Sequence, residues 1–203
     1  MIERPFKSFE NAEDVHYAQV DPQWAAHPYW DRTFKDCACG LCSFTMAVDI
    51  LTGARLNPVE VYDLRSAWGF PQLQEGNGDI CACDAHECFN PMLREVFGVE
   101  STFLADKSLE SFKRELEKGD RVIWFSSRDW GEPWIWADGS KCEDQYDCGH
   151  LICAWKYEDG KFIIKDPNGM RERGNNVAYD HEHFEKLLVG VLDNRYILKA
   201  VEV

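Results

Sequence analysis

Four side chains of this sequence could together perform nucleophilic catalysis. In chain order they are Gln19, Cys39, His150 and Asp166. A thiol is a poor nucleophile until it ionises, and a helix N-terminus or a neighbouring imidazolium favours the thiolate. A histidine can act as the general base for the thiol, and an aspartate can orient the histidine and hold its tautomer. These residue types in this order predict a cysteine nucleophile with a histidine base and further residues that assist the reaction.

Cys39 lies directly before a segment with helical periodicity. Apolar residues recur at helical spacing from Leu41 to Leu51, and Gly53 follows as a stop signal. The pattern predicts a helix from Gly40 to about Leu51. Cys39 would then lie at or just before the first turn, where unpaired N–H groups and the helix dipole favour a thiolate.

His150 and Asp166 flank a predicted β-hairpin. Strands are predicted over 151–157 and 161–165, and Asp159-Gly160 between them is a strong turn signal. His150 at the start of the first strand and Asp166 at the end of the second would therefore meet at the open end of the hairpin.

Gln19 is predicted to donate its side-chain amide to an oxyanion, beside the backbone N–H of Cys39. One such donor typically contributes about 2.7–4 kcal/mol of transition-state stabilisation. Each residue alone also has an ordinary explanation. A cysteine is often a small core residue, a histidine can end a strand, and Asp166-Pro167-Asn168-Gly169 is a turn in its own right. Their order and the hairpin geometry together favour catalysis.

At these residues the chain resembles the papain-like cysteine peptidases, in the bacterial branch related to the bacteriocin-processing, double-glycine leader peptidases. The resemblance covers about residues 17–190 and implies Cys39 as nucleophile, His150 as base, Asp166 as orienter and Gln19 as oxyanion donor. Ala38 and Cys42 stand where the family usually has Gly and Thr. The matching segments are residues 17–25, Cys39-Gly40-Leu41-Cys42-Ser43, Leu51-Thr52-Gly53, Gly149-His150 and Asp166-Pro167-Asn168.

The predicted elements give an α+β fold, because most helices precede an antiparallel sheet. In the papain-like arrangement, an N-terminal helical part carries the nucleophile and packs against a C-terminal antiparallel sheet that carries His and Asp. We expect an N-terminal arm over 1–16 and a single domain over 17–203. Further helices are predicted over about 57–68, 90–97, 108–118 and 181–188, and further strands over 121–126 and 195–203.

Two other groups of residues could bind something. Trp130, Trp134 and Trp136 could line a substrate groove or simply cover the edge of the core. Cys81, Cys83, His86 and Cys88 are soft ligands at close spacing and could bind zinc. The usual zinc-knuckle spacing is Cys-x2-Cys, so we predict no metal and no cofactor, with this cluster as the alternative.

Composition limits the class of protein. The 203 residues are 45% hydrophobic, which is typical of a globular chain, and the net charge of −14 argues against a nucleic-acid partner. No apolar run approaches the ~20 residues of a membrane span. Residues 1–14 lack the apolar stretch of a signal peptide. We expect a cytoplasmic protein, or a secreted one if a leader has been removed, with a peptide or protein substrate and an oligomeric state left open.

The nine cysteines allow more than one function. The first hypothesis is a cysteine peptidase or amidase that hydrolyses a peptide or isopeptide bond through a Cys39 acyl-enzyme. An acyltransferase or transpeptidase could use the same triad, with an amine or thiol in place of water. A non-catalytic peptide-binding protein, stabilised by metal or disulfides, is the alternative from another class.

Overall fold

The structure is a computed structural model that describes residues 11–29, 32–67, 89–128, 150–169, 171–188 and 195–201. The tryptophans at 130, 134 and 136 and the cluster Cys81, Cys83, His86 and Cys88 lie outside them, so both predictions stay untested. In the described part, no three His, Cys, Asp or Glu side chains form a group that could hold a metal ion.

Among these residues, the centre of the fold is a six-stranded antiparallel sheet with strand order β3-β8-β4-β5-β6-β7. Two further short strands, β1 and β2, pair with each other. The strands are β1 Pro28–Tyr29, β2 Arg32–Thr33, β3 Val99–Phe103, β4 Arg121–Arg128, β5 His150–Glu158, β6 Lys161–Lys165, β7 Val177–Tyr179 and β8 Arg195–Ala200.

Seven α-helical segments accompany the strands in the described residues, together with a 3-10 turn at Ala12–Asp14 and a π-helical turn at Leu93–Phe97. None of the helices in this part of the chain has the length and hydrophobicity of a membrane span. The helices are α1 Phe34–Cys37, α2 Cys39–Thr52, α3 Pro58–Ala67, α4 Asn90–Met92, α5 Leu109–Leu116, α6 Arg171–Gly174 and α7 His181–Leu187.

The sheet separates two hydrophobic clusters, because side chains alternate between its faces. On β4, Val122 and Trp124 join the cluster that contains α2, whereas Ile123 and Phe125 join the cluster that contains α5 and α7. Leu151 on β5 also lies in the α2 cluster. Helix α2, which begins with the predicted nucleophile Cys39, is therefore packed on one face of the sheet.

Helix α2 forms where the periodicity predicts it. All of its residues from Cys39 to Asp49 are buried. Because the helix is buried on all sides, its sequence is apolar around most of its circumference. Gly53 ends it in the left-handed conformation, with φ 66°, and its N–H donates to the Asp49 carbonyl at 2.8 Å. A glycine adopts this conformation without the steric cost of a Cβ atom.

The predicted hairpin is present, and Asp159 (φ 51°) and Gly160 (φ 76°) form its turn. A register shift between Ala154 and Lys156 moves the pairing of β5 and β6 by one residue. The helix predicted over 90–97 is α4 followed by the π-helical turn. The α+β class is confirmed, although β3 precedes α5 and β7 precedes α7, so the helices and strands are less separated than predicted.

Candidate active site

His150 and Asp166 are in direct contact at the open end of the β5–β6 hairpin. The Nε2 atom of His150 lies 2.8 Å from Oδ1 of Asp166, and both residues are buried, with 4% and 1% exposure. Burial strengthens such a hydrogen bond electrostatically, because the surroundings have a low dielectric constant. Since Nε2 contacts the carboxylate, Nδ1 is the ring nitrogen that remains to serve another group.

The position of Asp166 is fixed through several of its atoms. Its Oδ1 also accepts the Asn168 N–H at 2.8 Å, which is the Asx-turn geometry expected of this sequence. Its backbone N–H donates to the Gly174 carbonyl at 2.8 Å, and its carbonyl lies 3.1 Å from Nε2 of His16. Its Oδ2 is buried and has no hydrogen-bond partner among the described residues. The carboxylate is thus held rigidly towards the histidine.

Lys165, the residue before Asp166, anchors the chain around residue 13. The ammonium group is fully buried and donates to Asn175 Oδ1 at 2.6 Å, to the Glu13 carbonyl at 2.8 Å and to the Ala12 carbonyl at 3.2 Å. A buried charge is stable only when it is well paired or hydrogen-bonded. The segment that leads to His16 and Gln19 is therefore fastened to the strand end that carries Asp166.

Gln19 is oriented by two backbone carbonyls. Its own N–H donates to the Pro167 carbonyl at 2.8 Å, and its side-chain Nε2 donates to the Lys35 carbonyl at 2.8 Å. A carbonyl can only accept, so the Lys35 contact determines which way the amide points. The NH2 group has two hydrogens, and the Lys35 carbonyl takes one of them. Gln19 Oε1 is buried without a partner among the described residues.

Cys39 is the first residue of α2 and is 5% exposed. It lies in the same hydrophobic cluster as Trp124 of β4 and Leu151 of β5, the neighbour of His150. Helix α2 packs against β5 and β4. The thiol therefore lies at the end of a helix that rests on the strand beginning with the histidine.

The described cysteines differ in their surroundings. Four cysteines lie in the described residues, namely Cys37, Cys39, Cys42 and Cys153. Cys153 is fully buried on β5, and burial raises its pKa to about 12. Such a thiol stays protonated and unreactive at neutral pH. Cys42 is also fully buried, one turn into α2.

Thus the structure places His150 against Asp166, Gln19 against Pro167, and Cys39 at the start of the helix that packs on β5. Local sequence gave no signal for the residues that hold these groups in place. His16 and Lys165 act through contacts with residues about 150 positions away in the chain, and no short motif marks them or Gly174.

A helix that begins with a cysteine and rests on an antiparallel sheet bearing a buried His–Asp pair is the arrangement of the papain-like α+β class. The sequence profile of the Peptidase_C39 like family matches residues 16–190. The chain belongs to that family, and it is a thiol-dependent peptidase of the cysteine class.

Its fold is similar to a crystal structure of a candidate C39-like peptidase from Bacillus anthracis. The TM-score is 0.55 at 14% sequence identity, and the alignment covers 94% of this chain and 96% of the other. At this identity the similarity concerns the fold. No curated protein matches the sequence.

Proposed function

We propose that the protein hydrolyses a peptide or isopeptide bond through an acyl-enzyme on Cys39, with His150 as base, Asp166 as orienter and Gln19 in the oxyanion hole. The observation that supports this most is the buried 2.8 Å hydrogen bond between His150 Nε2 and Asp166 Oδ1. A carboxylate bonded to one ring nitrogen holds an imidazole in one tautomer and orientation, which is the role of the third member of a triad. Family membership supplies the general reaction class.

The proton transfers follow from the ring geometry. His150 Nδ1 takes the proton of Cys39 Sγ, and the thiolate attacks the carbonyl carbon of the substrate. The imidazolium then gives this proton to the leaving amine, and a thioester remains on Sγ. A water molecule, deprotonated by the same nitrogen, attacks the thioester, releases the carboxylic acid and regenerates the thiol. Asp166 stabilises the imidazolium while it exists.

The tetrahedral intermediate carries a negative oxygen. We assign its stabilisation to the second hydrogen of the Gln19 amide and to the backbone N–H of Cys39. The N-terminal end of a helix dipole is positive, so the first turn of α2 is suited to an anion. The bond from Gln19 to the Lys35 carbonyl keeps the amide in one orientation between turnovers.

Cys39 rather than Cys42 is assigned as the nucleophile because of their places in α2. The N–H of Cys42 is already bonded to the Ala38 carbonyl at 2.9 Å, and its side chain is fully buried. Cys39 stands at the helix N-terminus, where the dipole favours a thiolate. Cys42→Ser is therefore a matched control for Cys39→Ala.

The test is a brief pulse of iodoacetamide at pH 6 on native protein, followed by mass-spectrometric mapping of all cysteines. We expect Cys39 to be labelled first, because ordinary thiols are protonated at this pH and react slowly. His150→Ala should abolish the selectivity. Uniform labelling, or an unreactive Cys39, would contradict the assignment.

Turnover is measured on a mixture of quenched-fluorescence peptides. Cys39→Ala should abolish cleavage, Cys42→Ser should keep most of it, and Asp166→Asn should lower the rate less than His150→Ala. Mass spectrometry of the products, with and without an added amine acceptor, distinguishes hydrolysis from acyl transfer. Cleavage that survives in Cys39→Ala would overturn the proposed function.

A further inference from the structure

Trp124 extends from the sheet into the first turn of α2. Its indole Nε1 lies 2.8 Å from Ser43 Oγ and 3.2 Å from the Gly40 carbonyl. Ser43 Oγ in turn lies 2.7 Å from the Cys39 carbonyl and 3.1 Å from the Gly40 carbonyl, so the Cys39 carbonyl is its shorter contact. The indole N–H can only donate, so the hydroxyl accepts from Trp124 and donates its own proton to the Cys39 carbonyl.

These contacts are sheltered from water. The side chains of Trp124 and Ser43 are fully buried, and Trp124 belongs to the cluster that contains Cys39. A buried polar group that loses its partner is costly, so this pair favours one arrangement of helix and sheet over others. Apolar packing is non-directional, whereas a hydrogen bond also demands alignment. The contacts therefore limit how α2 can rotate or slide on the sheet.

The sheet end of this connection is close to the candidate base. Trp124 pairs across β4 and β5 with Cys153, and β5 begins at His150. The sequence of bonds from Trp124 through Ser43 to the Cys39 carbonyl thus joins the backbone of the nucleophile to the strand pair that carries the histidine.

We propose that Trp124 and Ser43 are positioning residues that fix Cys39 Sγ relative to the His150 ring. The proposal rests on the function proposed above, because it concerns the thiol and imidazole of that site. Both residues are fully buried, so we assign neither of them a contact with the substrate. Small displacements of reacting groups are costly in rate, since about 1 Å of misplacement can lower it by roughly 10²-fold.

Thr45 provides a matched control on the same helix. Its Oγ1 donates to the Leu41 carbonyl at 2.8 Å, and the residue is fully buried. The hydroxyl of Thr45 thus resembles that of Ser43 in burial and in bonding to the carbonyl four residues earlier. It has no bond to the sheet among the described residues. Thr45→Val therefore removes a similar hydrogen bond without breaking the connection to β4.

The experiment compares Ser43→Ala, Trp124→Phe, their double variant and Thr45→Val. The first measurement is the rate of Cys39 alkylation by iodoacetamide between pH 5 and pH 9, which needs no substrate. The second is kcat and KM on the cleaved member of the peptide mixture. Urea unfolding gives the stability of each variant, and Ser43→Ala is the smallest change if Trp124→Phe folds poorly.

For Ser43→Ala and Trp124→Phe we expect kcat to fall by at least about 10-fold with little change in KM. Alkylation at pH 6 should slow as well, because the thiol and imidazole are less well aligned. The double variant should lose no more than the worse single variant, since both act in one connection. Thr45→Val should lose stability but keep the wild-type kcat and alkylation profile.

Wild-type kinetics in Ser43→Ala and Trp124→Phe, or an equal loss of kcat in Thr45→Val, would overturn the positioning role alone. If Cys39→Ala kept its activity, the proposed function and this inference would both fall. The two failures are therefore distinguishable by the Cys39→Ala measurement.

Discussion

The hydroxyl of Tyr17 donates a hydrogen bond of 2.5 Å to Oδ2 of Asp49. Tyr17 stands two residues before Gln19, and Asp49 lies on the helix that begins with Cys39. Burial raises the pKa of Tyr17, and the nearby Asp49 carboxylate raises it further. The phenol therefore keeps its proton and remains the donor. The candidate oxyanion residue and the candidate nucleophile therefore share α2 as a common support.

The same pair makes stability depend on pH. Burial raises the pKa of Asp49 from 3.8 to about 7, and the Glu60 carboxylate adds to the rise. The hydrogen bonds from Tyr17 and from the Leu56 N–H oppose it. Because the folded state favours the protonated form, the contribution of Asp49 to stability should fall as pH rises from about 4 to about 7, and then level off.

Asp49→Asn should remove this pH dependence. The difference in pKa sets an upper limit of about 4 kcal/mol on the effect, at 1.36 kcal/mol per pKa unit. In urea unfolding between pH 4 and pH 8, the free energy of unfolding of Asp49→Asn should therefore rise relative to that of the wild type as the pH increases. Asp63→Asn, an exposed carboxyl on α3, is the control and should show no such trend. A pH-independent difference for Asp49→Asn would contradict the prediction.

The sequence predicted the elements whose signals are local. Helix α2 has its periodicity and Gly53, and the β5–β6 hairpin has Asp159-Gly160. Strands β3 and β7 were not predicted, because both are short edge strands whose pairing with β8 and β6 defines them. Local preference is weak in such strands, and tertiary context decides their conformation.

The same distinction between local sequence signals and long-range contacts applies to the candidate site. The types and order of the four predicted residues could be read from the sequence, and the hairpin accounts for the contact between His150 and Asp166. The residues that hold these four in place could not be predicted from the sequence in this way. The bond from Trp124 to Ser43 joins residues 81 apart, and the bond from Tyr17 to Asp49 joins residues 32 apart. A periodic sequence pattern carries no information about which residues so far apart in the chain form a pair.

Gln19→Ala should separate binding of the oxyanion from activation of the thiol. Loss of an oxyanion donor typically lowers kcat by about 10²–10³-fold. Cys39 alkylation should be unchanged, because iodoacetamide forms no tetrahedral oxyanion. The bond from the backbone N–H of residue 19 to the Pro167 carbonyl does not involve the side chain. Gln23→Ala, at an exposed glutamine nearby, should leave both rates unchanged. A parallel loss of alkylation in Gln19→Ala would indicate a structural role instead.

Gly174→Ala should displace the candidate orienter. A Cβ atom at Gly174 would overlap the Asp166 carbonyl oxygen and would lie 2.5 Å from Nε2 of His16. We expect kcat to fall by at least about 10-fold, because the carboxylate must shift relative to His150. Gly119→Ala is the control, since Gly119 has φ 78° with open space around it and lies at the other end of β4. It should lose stability through backbone strain and keep its kcat, so equal kinetic losses would refute the prediction.

Lys165→Met should loosen the segment that carries His16 and Gln19. Methionine keeps the apolar stem but leaves the oxygens of Ala12, Glu13 and Asn175 without their buried cation. Hydrogen bonds to charged groups contribute about 1.5–3 kcal/mol each, and part of that loss is recovered by local rearrangement, so we expect a net destabilisation of about 2–4 kcal/mol.

The measurements are urea unfolding and amide hydrogen exchange over residues 12–19, which should accelerate in Lys165→Met more than elsewhere. Lys186→Met is the control, because Lys186 forms a surface ion pair with Glu182 at 2.9 Å. Such exposed pairs contribute about 0–1 kcal/mol. If the two variants lost equal stability, or exchange at 12–19 stayed slow in Lys165→Met, the buried ammonium would not be what fastens this segment to the strand end at Asp166.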